Sequence, residues 1–314
     1  MEPEYLFVFG NAPELAEEEL TAVLPAGRQV YPNFDLLGGT VKIAEIFSGP
    51  IFDQLIKNKK LGERIVFGLS GVVLFSKSKE IKAELEEKGY KARFVLPAKG
   101  EVELSSVVVA KQKVTEIYFI GDLTAKTCWV QDFEEWNKRD YGRPGVDAHI
   151  GMLPPKVARM MVNVAGPGII LDPFCGVGTV LAEAYSTDHK IIGADINGNQ
   201  IDKTKKNLDW MGAKYELFQH DARTISQKIT PNSVDAIVTE PYLGPDDPKK
   251  LEQLYLDSLV DWQKILKPGG KVIIALPFHI DKAKIMGYSL LAGPFPYFRP
   301  QAKIKRNIYV FTRN

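Results

Sequence analysis

One stretch constrains this 314-residue chain more than any other: Asp172-Pro173-Phe174-Cys175-Gly176-Val177-Gly178-Thr179. The apolar run Gly168-Ile169-Ile170-Leu171 before it reads as a buried parallel strand, and Val180-Leu181-Ala182-Glu183-Ala184 after it as the start of a helix. Strand, glycine-rich turn and helix form the first half of a nucleotide-binding βαβ unit. Gly176 and Gly178 carry no Cβ, so the backbone there can turn tightly and approach a ligand. A glycine pattern alone does not identify that ligand; the rest of the chain has to.

Downstream of the turn, strand and helix alternate. Residues 190–196, 215–219, 234–238 and 271–275 read as strands, 199–211 and 249–266 as helices, and Pro268-Gly269-Gly270 as a break. Residues 302–312 offer one or two further strands in a hairpin. Such alternation predicts a doubly wound, mostly parallel α/β sheet. Upstream, residues 5–10 and 41–46 read as strands and 13–24 as a helix with an acidic first turn. Residues 78–88 read as a helix capped by Ser78, 91–96 and 116–120 as strands, and 105–113 as a helix. The expected organisation is a small α+β N-terminal domain (residues 1–60), a second α+β module (61–121), a loop-rich linker (122–151) and the α/β domain (152–314).

Charge is distributed unevenly along the chain. The net formal charge is +1, yet residues 1–56 carry −7 and residues 57–113 carry +6. A basic segment in a neutral protein suggests a polyanion partner, with Lys77, Lys79, Lys91, Arg93 and Lys111 as candidate contacts, although a solvated lysine-rich face has the same composition. Two cysteines, Cys128 and Cys175, exclude a disulfide framework and a cysteine-rich zinc site, and no metal-ligand spacing is present. No run of about 18 apolar residues predicts a membrane span. The first residues lack the layout of a secretory signal, so a cytoplasmic setting is expected.

Ligands of such sheets bind at the carboxyl ends of the strands. Asp195 ends the second strand, 17 residues after Gly178, near the offset at which an acid meets ribose hydroxyls. Asp221-Ala222 ends the third strand, where the carboxylate can accept from an adenine amino group, and Glu240-Pro241-Tyr242 ends the fourth. Each acid alone reads equally as a cap or turn residue; together with the glycine turn they point to a ligand site. The turn lacks the third glycine of a dinucleotide fingerprint and the lysine of a phosphate-binding loop, which suits a nucleoside without a pyrophosphate.

The octet resembles the first S-adenosylmethionine motif of Rossmann-like methyltransferases that act on exocyclic amines. Arg139-Asp140-Tyr141-Gly142-Arg143-Pro144 and the run Gly151-Met152-Leu153-Pro154-Pro155-Lys156-Val157-Ala158 resemble the segment preceding the catalytic domain in tRNA guanosine-N2-methyltransferases of the guanosine-10 type, which carry a THUMP domain. The basic segment is similar to THUMP through Lys79-Glu80-Ile81-Lys82 and Leu104-Ser105-Ser106-Val107. The resemblance implies a Rossmann-like class I methyltransferase domain, C-terminal to a smaller α+β RNA-binding region. It implies S-adenosyl-L-methionine as cofactor and nucleic acid, tRNA above all, as partner. Asp172, Phe174, Gly176, Gly178 and Thr179 would shape the methionine and ribose pocket, with Pro154 and Lys156 at its methionine end. Asp195-Ile196 would hold the ribose and Asp221-Ala222 the adenine.

The chain departs from the family at the fourth strand. Amino-methylating relatives carry Asp-Pro-Pro-Tyr there, and this chain has Glu240-Pro241-Tyr242-Leu243. An exocyclic amine is a poor nucleophile because its lone pair is delocalised into the base. A carboxylate and a backbone carbonyl that accept its N–H bonds localise that pair, and a stacked aromatic ring holds the base in line. The acid here is one methylene longer and the ring one place earlier. Three readings follow: a guanine amine held at a different angle, another base or nucleic-acid position, or cofactor binding without methyl transfer. A DNA amino-methyltransferase and a cofactor-sensing RNA-binding protein are thus the alternatives to a tRNA enzyme. His149, His220, His279, Lys303, Lys305 and Arg306 read as linker, packing or edge-strand residues as readily as ligand or phosphate contacts. Oligomeric state and any accessory subunit are not encoded in a readable pattern.

Overall fold

A computed structural model describes residues 4–24, 35, 37–71, 75–145, 152–241, 247–281, 285–299 and 304–314. The chain divides into two compact units, one from residues up to Gly10 and Thr40–Phe133, the other from Asn11–Gly39 and Glu134–Asn314.

The first unit is built on a six-stranded sheet. Its strands are β1 (Tyr5–Phe9), β2 (Thr40–Phe47), β3 (Arg64–Gly71), β4 (Lys91–Val95), β5 (Thr115–Ile120) and β6 (Leu123–Val130), in the order β1-β2-β6-β5-β3-β4. β3 runs parallel to β4 and β5, whereas β2 and β5 each pair antiparallel with β6. Helices α2 (Ile51–Ile56), α3 (Phe75–Glu87) and α4 (Ser106–Gln112) connect them. Phe67, Leu85 and Ile117 are fully buried at the centre of one core. Beneath another part of the sheet, Lys42 Nζ reaches Glu116 Oε1 at 2.9 Å and the Leu104 carbonyl at 2.5 Å, while Ser70 and Thr127 donate to the same carboxylate.

Three sequence expectations meet a different arrangement here. The boundary expected near residue 60 falls inside this one sheet, and the linker expected over 122–151 contains β6 and helix α5 (Phe133–Tyr141). Thr, Lys and Cys along β6 look loop-like as composition. The strand is nevertheless hydrogen-bonded to a neighbour on both edges. Ser78 is buried inside α3 instead of capping it, and the cap of α4 is Ser105, whose Oγ accepts from the Val108 N–H.

The second unit carries helices α1 (Pro13–Val23), α6 (Pro155–Ala165), α7 (Thr179–Tyr185), α8 (Gly198–Trp210) and α9 (Pro248–Trp262). Its strands are β7 (Ile169–Asp172), β8 (Lys190–Asp195), β9 (Tyr215–Gln219), β10 (Val234–Thr239), β11 (Leu266–Leu276), β12 (Tyr288–Arg299) and β13 (Ile304–Arg313). The order is β12-β13-β11-β10-β7-β8-β9, parallel from β11 to β9 and antiparallel where β13 pairs with β11 and β12. This is the expected Rossmann-like α/β sheet, but the run 302–312, read as one or two strands in a hairpin, contributes among its described residues the single strand β13, whose hairpin partner is β12. The chain runs outward from β7 through β8 to β9, then returns to the other side of β7 at β10. The topological switch, where open α/β sheets bind ligands, therefore lies between β7 and β10.

The segment 11–39 belongs to this second unit, not to the first domain expected from the sequence. Glu19 on α1 is fully buried and accepts from the Gly38 and Gly39 N–H groups, each at 2.8 Å, and from Asn163 Nδ2 on α6 at 2.6 Å. A Cβ at Gly38 would stand 2.5 Å from the Lys156 carbonyl, so the backbone fits against α6 only as glycine.

Candidate active site

The site is assembled at the carboxyl ends of β7, β8 and β10. Asp172 ends β7 and is buried; one carboxylate oxygen accepts from Thr239 Oγ1 at 2.6 Å and from the Phe174 N–H at 3.2 Å. Thr239 ends β10, so this bond ties the two strands flanking the switch point. Burial pushes the Asp172 carboxyl up to about 7, the two hydrogen bonds oppose the rise, and the neighbouring Asp195 and Glu240 add to it. The three acids therefore share one electrostatic environment.

The glycine turn follows. Gly176 and Gly178 adopt φ of +52° and +81°, the left-handed region. The Gly176 N–H donates to Asp195 Oδ2 at 3.0 Å, while Asp195 Oδ1 accepts from the Asn197 N–H at 2.9 Å. Thr204 Oγ1 donates to the Gly176 carbonyl at 2.6 Å, and Asn207 Nδ2 to the Val177 carbonyl at 2.8 Å, so α8 holds the turn from behind. A Cβ at Gly176 would meet nothing closer than the Phe174 carbonyl at 4.0 Å, leaving bare backbone beside Asp195. Ile196, next along, is 65% exposed. Cβ-free backbone, an acceptor carboxylate for hydroxyls and an exposed apolar side chain for a base face are groups that fit a nucleoside. Phe174 packs edge-on against Trp262 at 6.3 Å between ring centroids. Thr179 is buried, its Oγ1 accepting from Arg143 at 3.0 Å.

Cys175 is packed away; burial raises its thiol pKa and its sulfur lies 3.8 Å from Thr204 Oγ1. Asp221 caps the turn at 222–227 and chelates Arg223, whose guanidinium holds its carboxyl below the ordinary range. Ala222 is buried and its carbonyl accepts from Trp262 Nε1 at 3.1 Å. Pro154 caps α6, and Lys156 in its first turn lies 5.8 Å from the Trp136 ring, with burial lowering its pKa.

Glu240 follows β10. Its carboxylate is ion-paired with the buried Arg306 of β13 and accepts from the Leu153 N–H, while burial raises its pKa against both partners. Pro241 is buried beside it; Tyr242 and Leu243 lie outside the described residues, as do His149, Gly151 and Lys303. Arg306 is thus no surface phosphate contact. Lys305 is exposed, His279 bonds the Tyr309 hydroxyl at 3.1 Å, and His220 bonds the Thr224 carbonyl at 3.0 Å. Sequence reasoning missed Thr239, Thr204, Asn207 and the pairing of Arg306, because each acts on a partner at least 28 residues away.

Within the first unit, Lys77, Lys79, Lys91, Arg93 and Lys111 are all exposed. Lys91 and Arg93 share one face of the edge strand β4, Lys77 lies over the Phe119 ring at 4.4 Å, and Lys111 lies over Phe133 at 5.3 Å. Among the described residues no cluster of ligating side chains suits a metal ion, and no helix is long and apolar enough to cross a membrane.

Residues 143–291 match the family model described as RMKL-like, methyltransferase domain, and residues 68–206 match one described as DNA methylase. The tRNA (guanine(10)-N2)-dimethyltransferase of Methanothermobacter thermautotrophicus is 37% identical over 138 residues, 42% of this chain and 40% of that protein. The Pyrococcus abyssi protein of the same name is 31% identical over 186 residues, 57% of this chain and 54% of that one. The matched region thus spans about half the length of these curated relatives. A Methanothermococcus thermolithotrophicus protein described as "probable tRNA (guanine(10)-N2)-dimethyltransferase" is 30% identical over 38% of this chain and 78% of its own length. The crystal structure of TrmN from Thermus thermophilus superposes with a TM-score of 0.56 over 99% of both chains at 17% identity, so the two chains are alike in fold. With a methyltransferase fold and these relatives, the chain belongs to the tRNA (guanine(10)-N2)-dimethyltransferase family.

Proposed function

We propose that this protein is a cytoplasmic, S-adenosylmethionine-dependent RNA methyltransferase that modifies the exocyclic N2 amine of a guanine in tRNA. The observation that carries the reading is the position of Glu240-Pro241 at the end of β10, electrostatically coupled to Asp172 under the glycine turn. S-adenosylmethionine, when bound, supplies an electrophilic methyl group. Asp195, the bare backbone of Gly176 and Gly178, and Ile196 hold its nucleoside, while Asp172, fixed by Thr239, keeps the turn in shape. Glu240 and the Pro241 carbonyl accept the two N–H bonds of the amine, localising its lone pair, and Tyr242 stacks on the base. Within a duplex the base has to leave its stack to arrive there. The exposed cations of β4, α3 and α4 contact RNA phosphates, in the manner of a THUMP module.

The DNA methylase model over residues 68–206 favours one second reading, methyl transfer to an amine of DNA. Incubation with labelled S-adenosylmethionine and either bulk tRNA or duplex DNA separates the two, with mass spectrometry of the digested nucleosides identifying the product. N2-methylguanosine or its dimethyl form in tRNA alone is expected. Methylated DNA with unmodified tRNA would overturn the reading, and cofactor binding with no methylated product would leave a binding protein.

A further inference from the structure

The Glu240 side chain has one more rotatable bond than an aspartate would, and a free glutamate at a strand end samples many rotamers. Here it does not hang free. Arg306 is 1% exposed on β13 and donates through Nε to Glu240 Oε1, while the Leu153 N–H, just before α6, donates to the same carboxylate. Three segments far apart in the chain thus meet on one carboxyl group. A carboxylate has roughly four lone-pair sites, so two donors leave room for the N–H of a base amine. The other ionisable groups sensed at this point are Asp172 from β7 and the Tyr255 hydroxyl from α9, neither of them a cation. Arg306 is the cation that faces Glu240 among the described residues.

We propose that Arg306 is a positioning residue for methyl transfer, clamping the Glu240 carboxylate at the end of β10 so that its remaining acceptor sites meet the amine in one orientation. This rests on the reading that Glu240 accepts from that amine. The planar guanidinium suits the task because its fork fixes direction as well as charge, which an ammonium does not. The clamp also opposes the protonation that burial favours. Glu240 length is part of the device: a shortened side chain would withdraw from Arg306.

The test is single-turnover methyl transfer from labelled S-adenosylmethionine to bulk tRNA, at saturating cofactor, from about pH 5.5 to about pH 9. The full-length wild type is compared with Arg306→Lys, Arg306→Gln, Glu240→Asp and Glu240→Gln, and calorimetric cofactor affinity serves as the measure of folding. Glu240→Gln should slow transfer by about 100-fold or more. Arg306→Gln should slow it about 10- to 100-fold and move the acid limb upward by about 1–3 pH units. Arg306→Lys and Glu240→Asp should be slow with a smaller shift, and cofactor affinity should stay within about 3-fold throughout, since none of the four touches the proposed cofactor site. If removal of the buried counter-charge unfolds Arg306→Gln, the Lys and Asp variants decide. An inactive Glu240→Gln beside Arg306 variants with wild-type rate and acid limb would overturn the clamp and leave the role of Glu240 intact. An undiminished Glu240→Gln would overturn that role first, and the clamp with it.

Discussion

Replacing Gly178 by alanine separates two physical costs at one atom. The residue sits at φ +81°, where an L side chain costs about 1–2 kcal/mol. The added Cβ would also stand 2.9 Å from Thr204 Cγ2 and 3.2 Å from its Oγ1, an overpacked contact worth about 1–3 kcal/mol. Because Thr204 also bonds the Gly176 carbonyl, it cannot rotate away without releasing the turn. The sum, about 2–5 kcal/mol, lowers the melting temperature of a unit of this size by roughly 4–20 °C, and weakens cofactor binding wherever the turn shifts instead. Thr204→Ser in the Gly178→Ala background removes Cγ2 but keeps the hydroxyl, so it should restore the contact part and leave the backbone part. Differential scanning calorimetry and cofactor titration on wild type, both single variants and the double variant form a complete cycle. A Gly178→Ala protein with melting temperature and affinity indistinguishable from wild type would refute the argument, as would full recovery in the double variant.

Three further outcomes are expected. Asp172, raised to about 7 in the folded state from an ordinary carboxyl value unfolded, binds its proton more readily when folded. Its stabilising contribution is therefore greatest at low pH and is lost as pH rises toward about 7, and Asp172→Asn should remove about 1–3 kcal/mol of that dependence in melts at about pH 5 and pH 8. Glu19→Ala removes the buried acceptor shared by two backbone N–H groups and Asn163 Nδ2, so urea unfolding should show a loss of about 3–5 kcal/mol, with faster hydrogen exchange in α1. Reversing Lys91 and Arg93 to glutamate should weaken tRNA binding, measured by fluorescence anisotropy, and reduce its salt slope by roughly one for each lost phosphate contact, with cofactor affinity unchanged.

The parts of this protein that the sequence exposes are those whose physics is local. The octet at 172–179 declares its own strand, turn and helix, and Asp195 follows at a fixed offset because one helix and one strand separate it from the turn. Elsewhere the deciding partner is remote. Glu19 looks like one more acid in a solvated helix until Gly38, Gly39 and Asn163 close around it. Arg306 reads as part of a basic cluster on an edge strand, and only β13 lying beside β11 carries it inward to Glu240. β6 failed the same way: threonines and a lysine suggest a loop, and only its neighbours β2 and β5 reveal a strand hydrogen-bonded along both edges. Asp221 is legible as a strand-end acid, but the arginine two residues on takes up its carboxylate, which no strand-end rule anticipates.

The threading of residues 11–39 into the second unit has a consequence for how the chain is made. Glu19 waits for Asn163, which is synthesised 144 residues later. At roughly 5–20 residues per second, α1 spends about 7–30 s on the ribosome without the helix that covers it. Over that interval the six strands of the first unit are completed on either side of a segment that cannot yet settle. Helix α1 therefore cannot complete its contacts until α6 has been made, a delay set by chain order.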